Sequence, residues 1–215
     1  MYNFRTDLAD ERHDLYKKTN NLENNINGIE VENKQINENI KLTRVKVITE
    51  EGEKSIGKPI GSYTTIDIKN MKIINEDDID KSAETLANEL KSIISNHVNS
   101  KDEILVVGLG NIYVTPDSLG PKVANDIEVT RHIIKYFPQY IDDDARSISV
   151  IAPGVLGTTG METSEILEGI VKKTNPKLLI VIDCLASRSM DRISKTIQIA
   201  DTGIVPGAGV GKPRK

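Results

Sequence analysis

Three short apolar runs decide the fold: EILVVGLGN (103–111), SISVIAPG (147–154) and KLLIVID (177–183). Each is about a strand long, rich in Ile, Val and Leu, and without polar alternation. Such runs suit strands covered on both faces, as in a parallel sheet. The intervening segments read as helices. A loop with Pro116 leads into a helix expected from about 119 to 137, and METSEILEGIVKKT (161–174) is amphipathic at helical spacing. Strand, helix, strand, helix, strand is the α/β pattern, with right-handed crossovers expected. The predicted fold class is α/β, a central mostly parallel sheet flanked by helices.

Outward from this centre, EDDIDKSAETLANELKSIISNHV (76–98) predicts the clearest helix. Acids crowd its first turn, and Ile79, Ala83, Leu86, Leu90, Ile93 and Ile94 share one face. Further upstream, LTRVKVITE (42–50) and IGSYTTIDIK (60–69) alternate apolar and polar residues, which predicts two half-buried antiparallel strands with Gly52 as a turn. TDLADERHDLYKK (6–18) predicts a short helix capped by Thr6 or Asp7, its acids preceding Lys17 and Lys18. The Asn-rich stretch 19–41, interrupted by Gly28, reads as irregular. Residues 1–75 are equally readable as a peripheral β element with no function of its own. Beyond the third apolar run, TIQIADTGIV (196–205) predicts one more strand, and PGAGVGKPRK closes the sequence.

Composition narrows the function classes. The 215 residues carry 28 Lys plus Arg against 32 Asp plus Glu, a net charge of −4 that leaves no basic footprint for nucleic acid. One Cys cannot form an internal disulfide. No apolar stretch is long enough for a transmembrane helix, and the charged opening MYNFRTDLADERHDLYKK is not a secretory signal. These features predict a soluble, cytoplasmic, globular protein without membrane or direct nucleic-acid partners.

Open parallel sheets bind ligands outside the carboxyl ends of their strands. Four segments are expected there: GLGNIYVTPDSLGP (108–121), APGVLGTTGME (152–162), DCLASRSMD (183–191) and DTGIVPGAGVG (201–211). Two carboxylates stand out in them. Asp183 ends an apolar run, and Asp117 lies in the loop after the first strand. A pair of carboxylates can activate water or hold a metal, and both uses lead to hydrolysis. Asp117 is also readable as the N-cap of the helix that follows, and Asp183 as a loop cap. Arg188 either orients a substrate carboxylate or pairs with Asp183.

Other motifs fail on their residues. GLGNIY places Tyr113 where a dinucleotide fingerprint needs its third Gly. GAGVGK has Pro206 in place of the first P-loop Gly and Pro213 in place of its Ser or Thr. Cys184 has no His in any of the four loops, so no Cys–His nucleophile is read. His13, His97 and His132 fall in predicted helices, which disfavours a His-rich zinc site.

The ordered set FRTDLADE, GLGNIYVTPDSLGP, APGVLGTTGMET, VIDCLASRS and IADTGIVPGAGVG, running from about residue 4 to 211, resembles the germination protease (spore protease) family of spore-forming Firmicutes. The resemblance implies an endopeptidase that degrades small acid-soluble spore proteins, in a fold similar to that of the hydrogenase maturation peptidases. It implies a catalytic pair matching Asp117 in TPDSLG and Asp183 in VIDCLAS. Substrate or oxyanion support is expected from Gly110, Asn111, Gly154 and Arg188. It also implies a zymogen whose N-terminal propeptide is removed by self-cleavage, a homotetramer, and a place in the forespore or spore core, with no cofactor assigned; the processing region matches FRTDLADE, and we expect cleavage near Asp7–Leu8. The expected organisation is a propeptide (1–7), an N-terminal helix and β element (8–75), and an incomplete α/β peptidase core (76–215). Members of the family are longer, and GVGKPRK departs from their pattern, so the sequence resembles the N-terminal two-thirds of a member with a short foreign tail. A metal-dependent peptidase and an inactive remnant are the alternative readings.

Overall fold

In the computed structural model of the chain, residues 6–23, 25–69 and 76–204 are described. They fall into two compact units, Ile94–Cys184 and the residues on either side of it.

The flanking unit begins with α1 (Ala9–Thr19). Its N-cap is Leu8, without a side-chain cap, and not Thr6 or Asp7 as the sequence predicts; the side chains of those two residues bond elsewhere. The Asn-rich stretch is less irregular than predicted, because it contains β1 (Ile29–Gln35). Only Ile29 of this strand is buried, and seven register pairs with β2 (Ile40–Val47) hold the rest in place. A polar edge strand of this kind resists pairing with other chains. Gly52 is not a turn between strands. It lies in α2 (Glu50–Ile56), capped by the Thr49 hydroxyl accepting from Gly52 N–H. Strand β3 (Gly61–Ile68) then pairs antiparallel with β2, and α3 (Glu76–Ser95) follows.

The β2–β3 pair is buried on both faces, not on one. Ile40, Leu42, Ile66 and Ile68 pack with Leu86 of α3, whereas Val45, Val47 and Tyr63 pack with Ala9 of α1 and Ile56 of α2. The apolar phase of β2 therefore changes at Thr43–Arg44, and Arg44 reaches Glu89 of α3 at 2.6 Å. This also rotates α3 from its predicted face. Asp78, Ser82 and Thr85 are buried while Ile79 is exposed, because Asp78 accepts from the side chains of Asn37 and Asn39 at 2.8 Å each. Two side-chain hydrogen bonds outweigh the burial of one Ile at the helix end.

The central unit holds β4 (Ile104–Gly108), α4 (Leu119–Asp126), α5 (Arg131–Tyr136), β5 (Ile148–Ile151), α6 (Leu156–Thr159), α7 (Thr163–Thr174) and β6 (Leu178–Ile182). The three strands are parallel in the order β5-β4-β6, which bears out the α/β assignment. Leu105 and Val107 pack with Leu167, Ile170 and Val171 of α7, and Gly108 lies against Ala124 of α4, so helices flank both faces. The single helix expected over 119–137 is two. The β-branched run Ile127–Val129–Thr130 departs from the helix, and Thr130 is held by β5 through Thr130 N–H to Ile148 O at 3.1 Å.

The last strand, β7 (Thr196–Ala200), belongs to the other unit and pairs antiparallel with β3. The segment 201–211 therefore does not leave the parallel sheet as predicted, and 205–211 lies outside the described residues. Asp67 explains the placement. Its carboxylate accepts from Thr196 Oγ1 at 2.7 Å and from Arg192 Nε at 2.9 Å, which docks the approach to β7 on β3.

Candidate active site

Strands β4 and β6 are neighbours, with Gly108 opposite Ile182 and Leu109 N–H donating to Ile182 O at 2.8 Å. The loops leaving these two ends carry Asp117 and Asp183. Their backbones meet at Gly120, in the first turn of α4. A Cβ there would stand 2.2 Å from Leu109 O and 2.6 Å from Ile182 O, so only glycine permits the approach.

Asp117 does not cap α4. It ends a single 3₁₀ turn, Thr115–Asp117, and Ser118 is the residue before the helix. The Asp117 carboxylate accepts from Asn111 N–H at 2.9 Å, and its own carbonyl accepts the same proton at 2.9 Å. The loop 111–117 is thereby closed on itself. Gly110 makes the closure possible: its φ is +117°, and a Cβ would stand 2.0 Å from Asp117 O. Asp183 is the first residue past β6, half-buried, and accepts from Cys184 N–H at 2.8 Å. Both carboxylates are thus held by backbone donors of their own loops and face partly to solvent.

The remaining predicted residues separate. Gly154, with φ +78°, follows the neighbouring strand β5 by three residues. Asn111 contributes its N–H to Asp117, and its side-chain Oδ1 accepts from Tyr113 N–H at 3.0 Å. Arg188 is exposed, and its backbone N–H donates to Glu11 at 2.9 Å. Asp7 N–H donates to Ala186 O at 2.8 Å, and Ala186 N–H donates back to Asp7 Oδ2 at 2.9 Å. Leu8 is fully buried. Next to Asp7, burial pushes the Arg12 guanidinium below its ordinary value. Burial and then the Arg12 charge bring Lys58 down to about 8.

Two residues not singled out in the sequence, Glu11 and Gln198, join residues 7–11 to the 186–198 segment. Glu11 accepts from Arg188 and Ser189 N–H, and Gln198 bonds Asp7 O and Ala9 N–H. Glu11 is the last residue of FRTDLADE, so its motif was visible while its partner was not. Among the described residues no three His, Cys, Asp or Glu side chains cluster as a metal-binding set, and no helix is long and apolar enough to cross a membrane.

These features define a class: an α/β protein whose acidic loops gather at the carboxyl ends of adjacent parallel strands, where open sheets build their sites. Sequence comparison supplies the particular family. The family model described as germination protease matches residues 6–215. A protein named germination protease from Clostridium perfringens (strain ATCC 13124) is 49% identical over 214 residues, covering 100% of this chain and 65% of that protein. One of the same name from Caldanaerobacter subterraneus is 49% identical over 212 residues, covering 98% of this chain and 62% of its own length. One from Priestia megaterium is 43% identical over 220 residues, covering 100% and 59%. The chain belongs to the germination protease family, and it spans less than two thirds of the length of these relatives.

Proposed function

We propose that this chain carries the hydrolytic centre of a germination protease, an endopeptidase acting on small acid-soluble spore proteins. One observation carries the reading: Asp117 and Asp183 occupy loops that leave adjacent parallel strands and are locked together at Leu109, Gly120 and Ile182. In the proposed reaction one carboxylate takes a proton from water as the oxygen attacks the scissile carbonyl carbon. The other, protonated, donates a hydrogen bond to the carbonyl oxygen. The tetrahedral intermediate then collapses, the C–N bond breaks, and the amine leaves with a proton from the pair. The Leu109 and Asn111 N–H groups are committed to Ile182 and Asp117. We therefore assign oxyanion support to the N–H groups of Gly110 and Gly154.

The zymogen reading places self-cleavage at Asp7–Leu8, with a homotetramer in the spore core as the working form. No cofactor is assigned, and activity is expected to persist under exhaustive chelation. The test is an assay of spore-protein cleavage with Asp117→Asn and Asp183→Asn. Each is expected to lower turnover at least about a hundredfold; near-normal turnover in either variant contradicts the assignment.

A further inference from the structure

The contacts around the start of α1 concern the loop that follows Asp183. Backbone groups of Ala186, Arg188 and Ser189 bond to residues 6–11. Glu11 Oε2 accepts from Arg188 N–H at 2.9 Å and from the Thr6 hydroxyl at 2.5 Å, while Oε1 accepts from Ser189 N–H at 3.3 Å. Its side chain is only 11% exposed. A carboxylate in that setting binds backbone N–H groups through charge-assisted bonds, roughly twice as strong as neutral ones. Asp7 holds the preceding residue, bonding Ala186 through both its N–H and its Oδ2. Gln198 braces this segment from below, with Nε2 donating to Asp7 O at 3.0 Å and Oε1 accepting from Ala9 N–H at 2.8 Å. Arg12 Nε donates to Thr6 O at 2.9 Å and completes the fastening.

We propose that Glu11 is a positioning residue: it sets the conformation of the 186–189 loop, three residues downstream of Asp183, through the Arg188 and Ser189 N–H groups. Asp7 fastens the same loop one step earlier, at Ala186. The two fastenings differ in fate under the Asp7–Leu8 cleavage proposed above, on which this second part rests. Asp7 and Thr6 lie on the side that leaves, whereas Glu11 lies on the side that stays. Cleavage would release Ala186 and leave Arg188 and Ser189 held.

Amide hydrogen exchange on the full chain, read at single residues, tests both fastenings without requiring peptidase activity. Glu11→Ala is expected to speed exchange at Arg188 and Ser189 at least about tenfold, the loss of a charge-assisted bond, and to leave Ala186 protected. Asp7→Ala is expected to do the reverse. Glu11→Gln retains one carbonyl acceptor and is expected to restore part of the protection, which separates positioning from a general loss of stability. Unchanged exchange at Arg188 and Ser189 in either Glu11 variant overturns the proposal. A uniform rise that includes β2 and β3 overturns it as well. If Glu11→Ala does not fold, the milder Gln variant is read against the same two criteria. Failure of the peptidase reading appears separately, in the Asp117 and Asp183 assays.

Discussion

Gly110 shows how one backbone angle holds the candidate site. At φ +117° it lets Asn111 N–H turn back onto the carbonyl oxygen and Oδ2 of Asp117, and a side chain at position 110 would strike Asp117 O. Gly110→Ala is expected to cost on the order of 2 kcal/mol or more, read as a lowered urea midpoint, because strain and a backbone clash add. A midpoint equal to that of the unaltered chain would mean the loop has another conformation available. Lys58 makes a second prediction at this scale. Its ammonium sits 5.6 Å from the centre of the Tyr63 ring, and burial, then Arg12, lower its pKa from 10.5 to about 8. The unfolded chain keeps that proton to higher pH than the folded one. Stability from this group is therefore lowest below pH 8 and rises as pH climbs from 8 towards 10.5. Lys58→Met should raise Tm at pH 7 and flatten the rise between pH 8 and 10. A variant with the unaltered chain's pH slope would contradict the burial argument.

The elements carry the next level. Arg192 binds Asp10 of α1 at 2.6 Å and Asp67 of β3 through Nε at 2.9 Å, with its side chain 17% exposed. It ties the first helix, the third strand and the approach to β7 into one ionic cluster. Removing it leaves three acids, Asp10, Glu11 and Asp67, without their cation, so Arg192→Ala is expected to cost about 3 kcal/mol in urea unfolding. A loss below about 1 kcal/mol would mean water replaces the guanidinium freely. The parallel strands were legible in the sequence as unbroken Ile, Val and Leu runs, but only the middle strand β4 is buried throughout as those runs predict; β5 and β6, on either side of it, are half-buried. Their order places the two aspartates at neighbouring ends. Less was legible where a tertiary contact decides. Strand β1 has one buried residue and forms through its ladder with β2, the turn of α3 follows Asn37 and Asn39, and β7 follows Arg192 and Thr196 onto Asp67. The Asp7 and Glu11 bonds to Ala186, Arg188 and Ser189 join residues about 180 positions apart, and no local pattern signals such a pairing.

For the whole molecule, family membership rests on a match from residue 6 to 215 and on identities of 43–49% with germination proteases that are all longer than this chain. The proposed activity draws only on residues of the central unit, Asp117, Asp183, Gly110 and Gly154. The proposed homotetramer belongs to this scale as well, and sedimentation of the purified chain should give four times the 23.8 kDa of a single copy. A single-copy mass would remove assembly from the account and leave the site as proposed. The most direct measurement is turnover of a purified small acid-soluble spore protein by this polypeptide, with Asp117→Asn and Asp183→Asn beside it. Cleavage by the unaltered chain and its loss in both variants are expected. Cleavage that survives either substitution would contradict the aspartate pair.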